Sequence, residues 1–281
     1  LSRKDTLKLA ALQIEPSLNL SDTFLQIQTL LSKVCSIMDS PDCVVLPEYA
    51  FGTFREWIST KQDSDQITAQ IQSSISKLAQ QYKVAVVAGS VPHKTDTKQW
   101  RNRSFVFSSA GEILGSYDKQ HPFRVEKRLG LEPGTGLPTF KIDNLQMGVL
   151  ICSDLWFHDL PSLLTPKADF LAVPTMTTVL DSQQIKYGQW AWRSLVLVRS
   201  KEYTIPIVST DQASREYAPG VFTCGGSCIS DPSFRFSNIE GPNTQALRIT
   251  PHEKASCITS EISLKAVKEY TAYRREVGLR E

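Results

Sequence analysis

Short apolar runs alternate along this chain with apolar residues spaced three and four apart, and that alternation restricts the fold more than any other feature. Residues 7–14 (LKLAALQI) read as a strand. Asn19 and Ser21 offer helix caps, and Leu20, Phe24, Ile27, Leu31, Val34 and Met38 then trace one buried helical face. A short strand at 43–47 follows. A second helical stripe comes next (Ile67, Ile71, Ile75, Leu78, Tyr82), and then a strand over 84–91. The middle of the chain reads as hairpins: Ser104–Phe107 with Ile113–Tyr117 across Ala110-Gly111, and 138–151 turning at Asp143-Asn144. A short helix after Asp154, a strand at 169–174, a long helix over about 181–202 and strands at 205–210, 226–230 and 255–263 complete the pattern. The chain closes on a basic amphipathic segment, 264–275. Strands that are apolar on both faces need helices on one side and more sheet on the other, so the pattern predicts a layered α/β fold. The 281 residues allow one large domain or two small ones. No repeat and no Pro/Gly/Ser-rich linker divides them, which favours one.

Charge and cysteine usage remove several function classes. Lys and Arg number 31 against 29 Asp and Glu, so the net charge of +2 advertises neither a nucleic-acid nor a membrane-surface partner. No apolar run approaches the roughly 20 residues that span a bilayer, and Leu1 to Lys8 lack a signal-peptide core. The cysteines at 35, 43, 152, 224, 228 and 257 form no regular framework and read as reduced thiols of a cytoplasmic protein. Cys224 and Cys228 bracket two glycines without a nearby histidine, which is poor zinc spacing. Neither G-x-G-x-x-G nor G-x-x-x-x-G-K-[ST] occurs, so a nucleotide-phosphate cradle lacks support.

Three residues at strand ends carry chemical interest. Cys152 closes the apolar run 147–151 where a helix should begin, a position at which a helix N-terminus lowers a thiol pKa. Glu48 follows the buried run Cys43–Pro47 amid Tyr49 and Phe51, where poor solvation raises a carboxyl pKa and suits it to accept protons. Lys119 ends the second arm of the first hairpin. Taken singly, each has an ordinary reading as a packed cysteine, a loop carboxylate or a solvated lysine. His121 beside Lys119 reads as a structural histidine.

Together, and in this order, the three residues resemble the nitrilase superfamily of carbon–nitrogen hydrolases. The resemblance is carried by VVLPEYAFG around Glu48, RNRSFVFSSAGEILGSYDKQHPF running into Lys119, and GVLICSDLWF around Cys152, with RSKEY and GGSCISDP following. It covers residues 7 to about 263 and implies a single carbon–nitrogen hydrolase domain over 1–281, with 264–281 as a C-terminal extension. The implied fold is a four-layer α-β-β-α sandwich, paired in a homodimer or higher homo-oligomer. The basic C-terminal segment is the one feature suited to reach across a partner.

The resemblance also implies roles. Cys152 attacks the substrate carbon, Glu48 takes the thiol proton and later activates water, and Lys119 with the Ser153 backbone N–H holds the oxyanion. No metal or organic cofactor is implied. A second glutamate is expected between lysine and cysteine. Glu126 and Glu132 both qualify, and the family's spacing before Pro133-Gly134 favours Glu126. Ser153 and Trp156 stand where many amidase-like members carry Tyr and Arg, so a carboxylate-bearing substrate loses its partner and a neutral or apolar one is favoured. Tyr49, Trp156, Thr175 and Met176 follow strand ends and are expected pocket walls. The substrate implied is a small linear amide. A nitrile or an N-carbamoyl compound is the alternative within the same chemistry, and a catalytically silent binding protein on the same fold the alternative outside it. A cysteine α/β-hydrolase fits poorly, because residues 150–154 read Leu-Ile-Cys-Ser-Asp and form no G-x-C-x-G elbow.

Overall fold

The computed structural model describes residues 5–60, 64–234 and 245–279. β1 (Thr6–Gln13) leads into α1 (Leu20–Ile37), which Asn19 caps by accepting the Ser21 N–H at 3.1 Å. β2 (Cys43–Val45) is shorter than the run that announced it. After α2 (Phe54–Thr60) and α3 (Ser64–Tyr82) comes β3 (Ala85–Val87). The run 84–91 is not one continuous strand. β3 and β4 (Val91–Lys94) both pair antiparallel with β5 (Trp100–Phe107), in register at Val87↔Val106 and Val91↔Arg103, so one extra residue bulges between them. Gly89 makes the bulge possible. Its φ is +61°, and a Cβ there would stand 2.0 Å from the Pro47 carbonyl oxygen. The bulge therefore seats the backbone immediately before Glu48.

β6 (Ile113–Asp118) completes the first hairpin, and α4 (Arg124–Arg128) is a short helix that the sequence pattern did not announce. β7 (Thr139–Ile142) and β8 (Leu145–Val149) form the second hairpin. The helix expected after Asp154 begins earlier, as a 3-10 turn over Cys152–Trp156, and α5 (Asp159–Leu164) follows it. β9 (Phe170–Pro174), β10 (Thr178–Val179), α6 (Ile185–Tyr203) and β11 (Ile207–Thr210) come next. Asp181 caps a 3-10 turn ahead of α6, so that helix starts four residues later than its apolar pattern suggests. β12 (Glu216–Ala218), β13 (Val221–Thr223), β14 (Cys228–Ser230), β15 (Leu247–Ile249), β16 (Ser256–Ser263) and α7 (Leu264–Glu276) complete the chain.

Two sheets lie face to face. One runs β16-β1-β2-β3-β5-β4, with β6 on the other edge of β5; the second runs β15-β14-β11-β9-β8-β7. Alternation along each strand sends side chains to opposite faces. Leu9, Ala11, Val45 and Val87 pack inward with Met147, Val149, Leu171 and Ile207 of the second sheet. Ala10, Leu12, Val44 and Val86 face outward beneath Ile27 and Leu31 of α1 and Ile71 and Ile75 of α3. Trp192 and Val196 of α6 and Leu160 of α5 close the other side. The result is a four-layer α-β-β-α sandwich. Leu264 and Val267 dock the first turns of α7 onto the same core, and Ala266 is buried with them. Among the described residues no helix is long and apolar enough to cross a membrane.

Candidate active site

The two sheets deliver their functional side chains to one place. Glu48 follows β2, Lys119 follows β6, Cys152 follows β8 and Thr175 follows β9, and the Glu48 N–H donates to the Thr175 carbonyl at 3.2 Å across the sheet-to-sheet seam. Lys119 is 1 % exposed, and its Nζ donates to Glu48 Oε1 and to Glu126 Oε2, both at 2.7 Å. Glu126 comes from α4 and is itself buried. It also accepts from the Tyr49 hydroxyl at 2.5 Å, from Asn102 Nδ2 at 2.9 Å and from the Phe123 N–H at 2.5 Å. Asn102 Nδ2 donates to Glu48 Oε1 as well, at 2.8 Å, so one amide bridges both carboxylates. The Cys152 Sγ donates to the Met176 carbonyl at 4.0 Å, and the thiol lies within the field of the Glu48 carboxylate.

The two carboxylates are chemically alike, yet their surroundings drive their proton affinities apart. Burial pushes Glu48 up to about 7, with Lys119 opposing and Glu126 adding to the rise. Burial acts on Glu126 in the same direction, but the Lys119 cation and hydrogen bonds from Lys119, Tyr49 and the Phe123 N–H hold it below the ordinary carboxylate value. Burial works to deprotonate Lys119, and Glu126 and Glu48 overcome it, keeping the ammonium charged. Separation of this kind suits the two carboxylates to different tasks, Glu126 to remain an ionised counter-ion and Glu48 to change its protonation near neutral pH. Tyr49, buried beside both carboxylates, is held well above its ordinary value and remains a donor.

The thiol contradicts the expectation drawn from its strand-to-helix position. Burial and the Glu48 charge push Cys152 well above its ordinary value, with Lys119 opposing only in part. The segment it opens is a five-residue 3-10 turn, too short for a helix dipole to reverse that balance. The surroundings of Cys152 therefore favour the neutral thiol. Its φ of +45° is rare for a residue with a side chain, and it makes a sharp corner between strand and turn.

The other expected wall residues are placed unevenly. Tyr49 lies in the cluster. Ser153 is buried, and its Oγ donates to the His121 carbonyl at 2.5 Å. Met176 presents its carbonyl to the thiol. Trp156 is 56 % exposed. The Thr175 side chain turns into the protein, bonding the Val173 carbonyl at 3.1 Å and the Ser209 hydroxyl at 3.2 Å, so its tie to the site runs through its backbone. Glu132 is exposed and makes a backbone bond to Trp100, whereas Glu126 meets Lys119.

Sequence reasoning missed Asn102, Gln212 and Asp154. Gln212 Nε2 donates to the Glu48 carbonyl at 2.8 Å and fixes that loop from β11's end. The signal for Asn102 lay in β5, where the small polar Asn102 and Ser104 alternate with Arg101 and Arg103 and are the pair that is buried.

The chain belongs to the carbon-nitrogen hydrolase family, whose model matches residues 8–270. It is a carbon–nitrogen hydrolase with amidase relatives. Among these, omega-amidase NIT2 of Danio rerio is 26 % identical over 242 residues, covering 80 % of each chain. Nit3 of Saccharomyces cerevisiae, described as a member of branch 10 of the nitrilase superfamily, superposes with a TM-score of 0.79 over 99 % of this chain and 97 % of its own, at 19 % identity. An amidase from Nesterenkonia sp. superposes with a TM-score of 0.74 over 98 % and 97 %, at 18 % identity. These two structural likenesses are likenesses of fold.

Proposed function

We propose that the chain hydrolyses the C–N bond of a small linear amide through a thioester on Cys152. The observation that carries this reading is Lys119 Nζ, held at 2.7 Å from each of two buried carboxylates, one of which, Glu48, acts through its charge on the Cys152 thiol. Glu48 takes the thiol proton as Sγ bonds to the carbonyl carbon. The oxyanion that forms is held by Lys119 and by the Ser153 N–H. A lysine ammonium has three donors, and the two carboxylates occupy two of them, which leaves one to donate. The N–H groups that open a helical turn have no partner within it, which makes Ser153 the second donor. Such a donor contributes on the order of 3 kcal/mol to the transition state. The C–N bond then breaks, and the leaving nitrogen takes the proton from Glu48 and departs as ammonia or an amine. Water attacks the thioester after passing a proton to Glu48. The acid leaves, and the proton returns to sulfur.

Trp156, standing where an arginine would recruit a carboxylate, favours a substrate that is neutral or apolar at that end. The amidase relatives favour an amide over a nitrile or an N-carbamoyl compound. The same proposal takes the chain as one hydrolase domain that pairs with a second copy in the cytoplasm, a setting in which its six free cysteines stay reduced. Ammonia release from a panel of linear amides, nitriles and N-carbamoyl compounds tests the chemistry. Amide turnover at least 100-fold above that of Cys152→Ala is expected. Equal turnover by the two proteins removes Cys152 from the reaction, and release from nitriles alone makes the chain a nitrilase.

A further inference from the structure

The reacting groups come from separate sheets. Lys119 follows β6 in the first and Cys152 follows β8 in the second. Apolar packing holds the sheets together, but it specifies relative position less sharply than directed bonds do. Between the segment that carries Lys119 and the one that carries Cys152, most of the directed bonds converge on one side chain. Asp154 is fully buried, and its Oδ1 accepts the His121 N–H at 2.7 Å and the Gln120 N–H at 3.2 Å, the two residues immediately after Lys119. Its Oδ2 accepts the Tyr117 hydroxyl at 2.8 Å, two residues before Lys119, and the Ile151 N–H at 3.0 Å, the residue before Cys152. The Ser153 hydroxyl adds a tie in the same direction, to the His121 carbonyl.

On this geometry, and resting on the thioester reading above, we propose that Asp154 is the positioning residue that sets Cys152 against Lys119. It touches neither the thiol nor the ammonium and acts through the backbone on either side of them. The donor set fits only a carboxylate. Four N–H and O–H groups converge on two acceptor oxygens, and an asparagine would turn its own N–H groups against two of them. The same side chain steadies the corner at Cys152. Ile151 N–H is bound by the Asp154 carboxylate while Asp154 N–H donates to the Ile151 carbonyl at 3.0 Å, bracketing the residue held at φ +45°. A left-handed residue with a side chain persists where its surroundings over-determine it.

A shift of about 1 Å between reacting groups costs on the order of 100-fold in rate. Asp154→Asn and Tyr117→Phe test the assignment, using the amide that wild type turns over fastest, at a temperature well below each variant's melting point. Asp154→Asn is expected to lose about 100-fold in kcat with KM within about threefold of wild type. Tyr117→Phe, which removes one of the four bonds, should lose about fivefold in kcat while still folding. A purely structural Asp154 lowers the melting temperature and leaves kcat per folded molecule within twofold in both variants, which overturns the proposal. Should Asp154→Asn fail to fold, an unchanged kcat in Tyr117→Phe overturns it alone. Cys152→Ala, assayed beside them, separates the two readings: activity there sinks the thioester route itself, whereas an inactive Cys152→Ala with unaffected Asp154 and Tyr117 variants sinks only the positioning role.

Discussion

Glu48→Gln is expected to lower kcat/KM by about 1,000-fold while leaving the fold intact, because glutamine keeps the hydrogen bonds and loses the proton acceptor. Its carbonyl still accepts from Lys119 and Asn102, the two donors that now reach Glu48 Oε1. Burial and the Glu48 charge hold the cysteine well above its ordinary value, so on the proposed route the thiolate forms as Glu48 takes the proton. In the wild-type enzyme the same logic fixes the acid limb of the pH profile. Glu48 works deprotonated in the free enzyme and burial holds it up to about 7, so kcat/KM should rise as pH increases through about 7. Stability moves the other way. A carboxyl raised from 4.5 to about 7 contributes stability that is fully present below 4.5 and lost as pH rises through 7. At pH 8 the Glu48→Gln protein should therefore melt at or above the wild-type temperature. Retained activity with the usual acid limb would assign the proton to another group.

Lys119→Met is expected to damage activity and stability together. The lysine is buried between two carboxylates, and its removal leaves both in a dry site with Asn102 alone bridging them. Breaking a buried ion pair from one side typically costs about 3–5 kcal/mol, or roughly 5–15 °C in melting temperature for a chain of this size. Loss of an oxyanion donor adds a rate penalty of about 100- to 1,000-fold. The double variant Lys119→Met/Glu126→Gln separates the two effects. Neutralising the stranded counter-ion should recover much of the melting temperature and none of the rate. Recovery of both would make Lys119 a structural ion-pair partner only. The single variant keeping wild-type kcat/KM would take it out of the chemistry as well.

What the chain disclosed about itself follows the range of the forces involved. Apolar patterning is local, and it was enough for the layers: the runs holding Leu9, Ala10, Ala11 and Leu12 and holding Val44 and Val45 are apolar throughout, which demands a packed layer on each face, and the structure turns Ala10, Leu12 and Val44 outward and Leu9, Ala11 and Val45 inward. Glu48, Lys119 and Cys152 each stand at a strand end, and they stood out as a set, through their order and the motifs around them. The bulge at 88–90 did not, because its cause is the Pro47 carbonyl on a neighbouring strand end. α4 is five residues long and has no room for a helical stripe, yet it delivers Glu126. β12, β13 and β10 form a small sheet from strands of two or three residues, too short for alternation to register. The sign of the Cys152 shift was misread for a related reason. Position at a strand end is local, but the opposing Glu48 charge comes from a distant part of the chain. Asn102 and Asp154 are ordinary polar letters in sequence, and their importance lies in how many partners they meet when folded.

Trapping the covalent intermediate tests the central claim most directly. Wild type and Cys152→Ala are mixed with the preferred amide, quenched in acid within the first turnovers and weighed intact. A mass increase equal to the acyl group, located on the Cys152 peptide and absent from Cys152→Ala, is the expected result. Rapid amide turnover by wild type with no acyl adduct at any quench time, matched by undiminished turnover in Cys152→Ala, would contradict it.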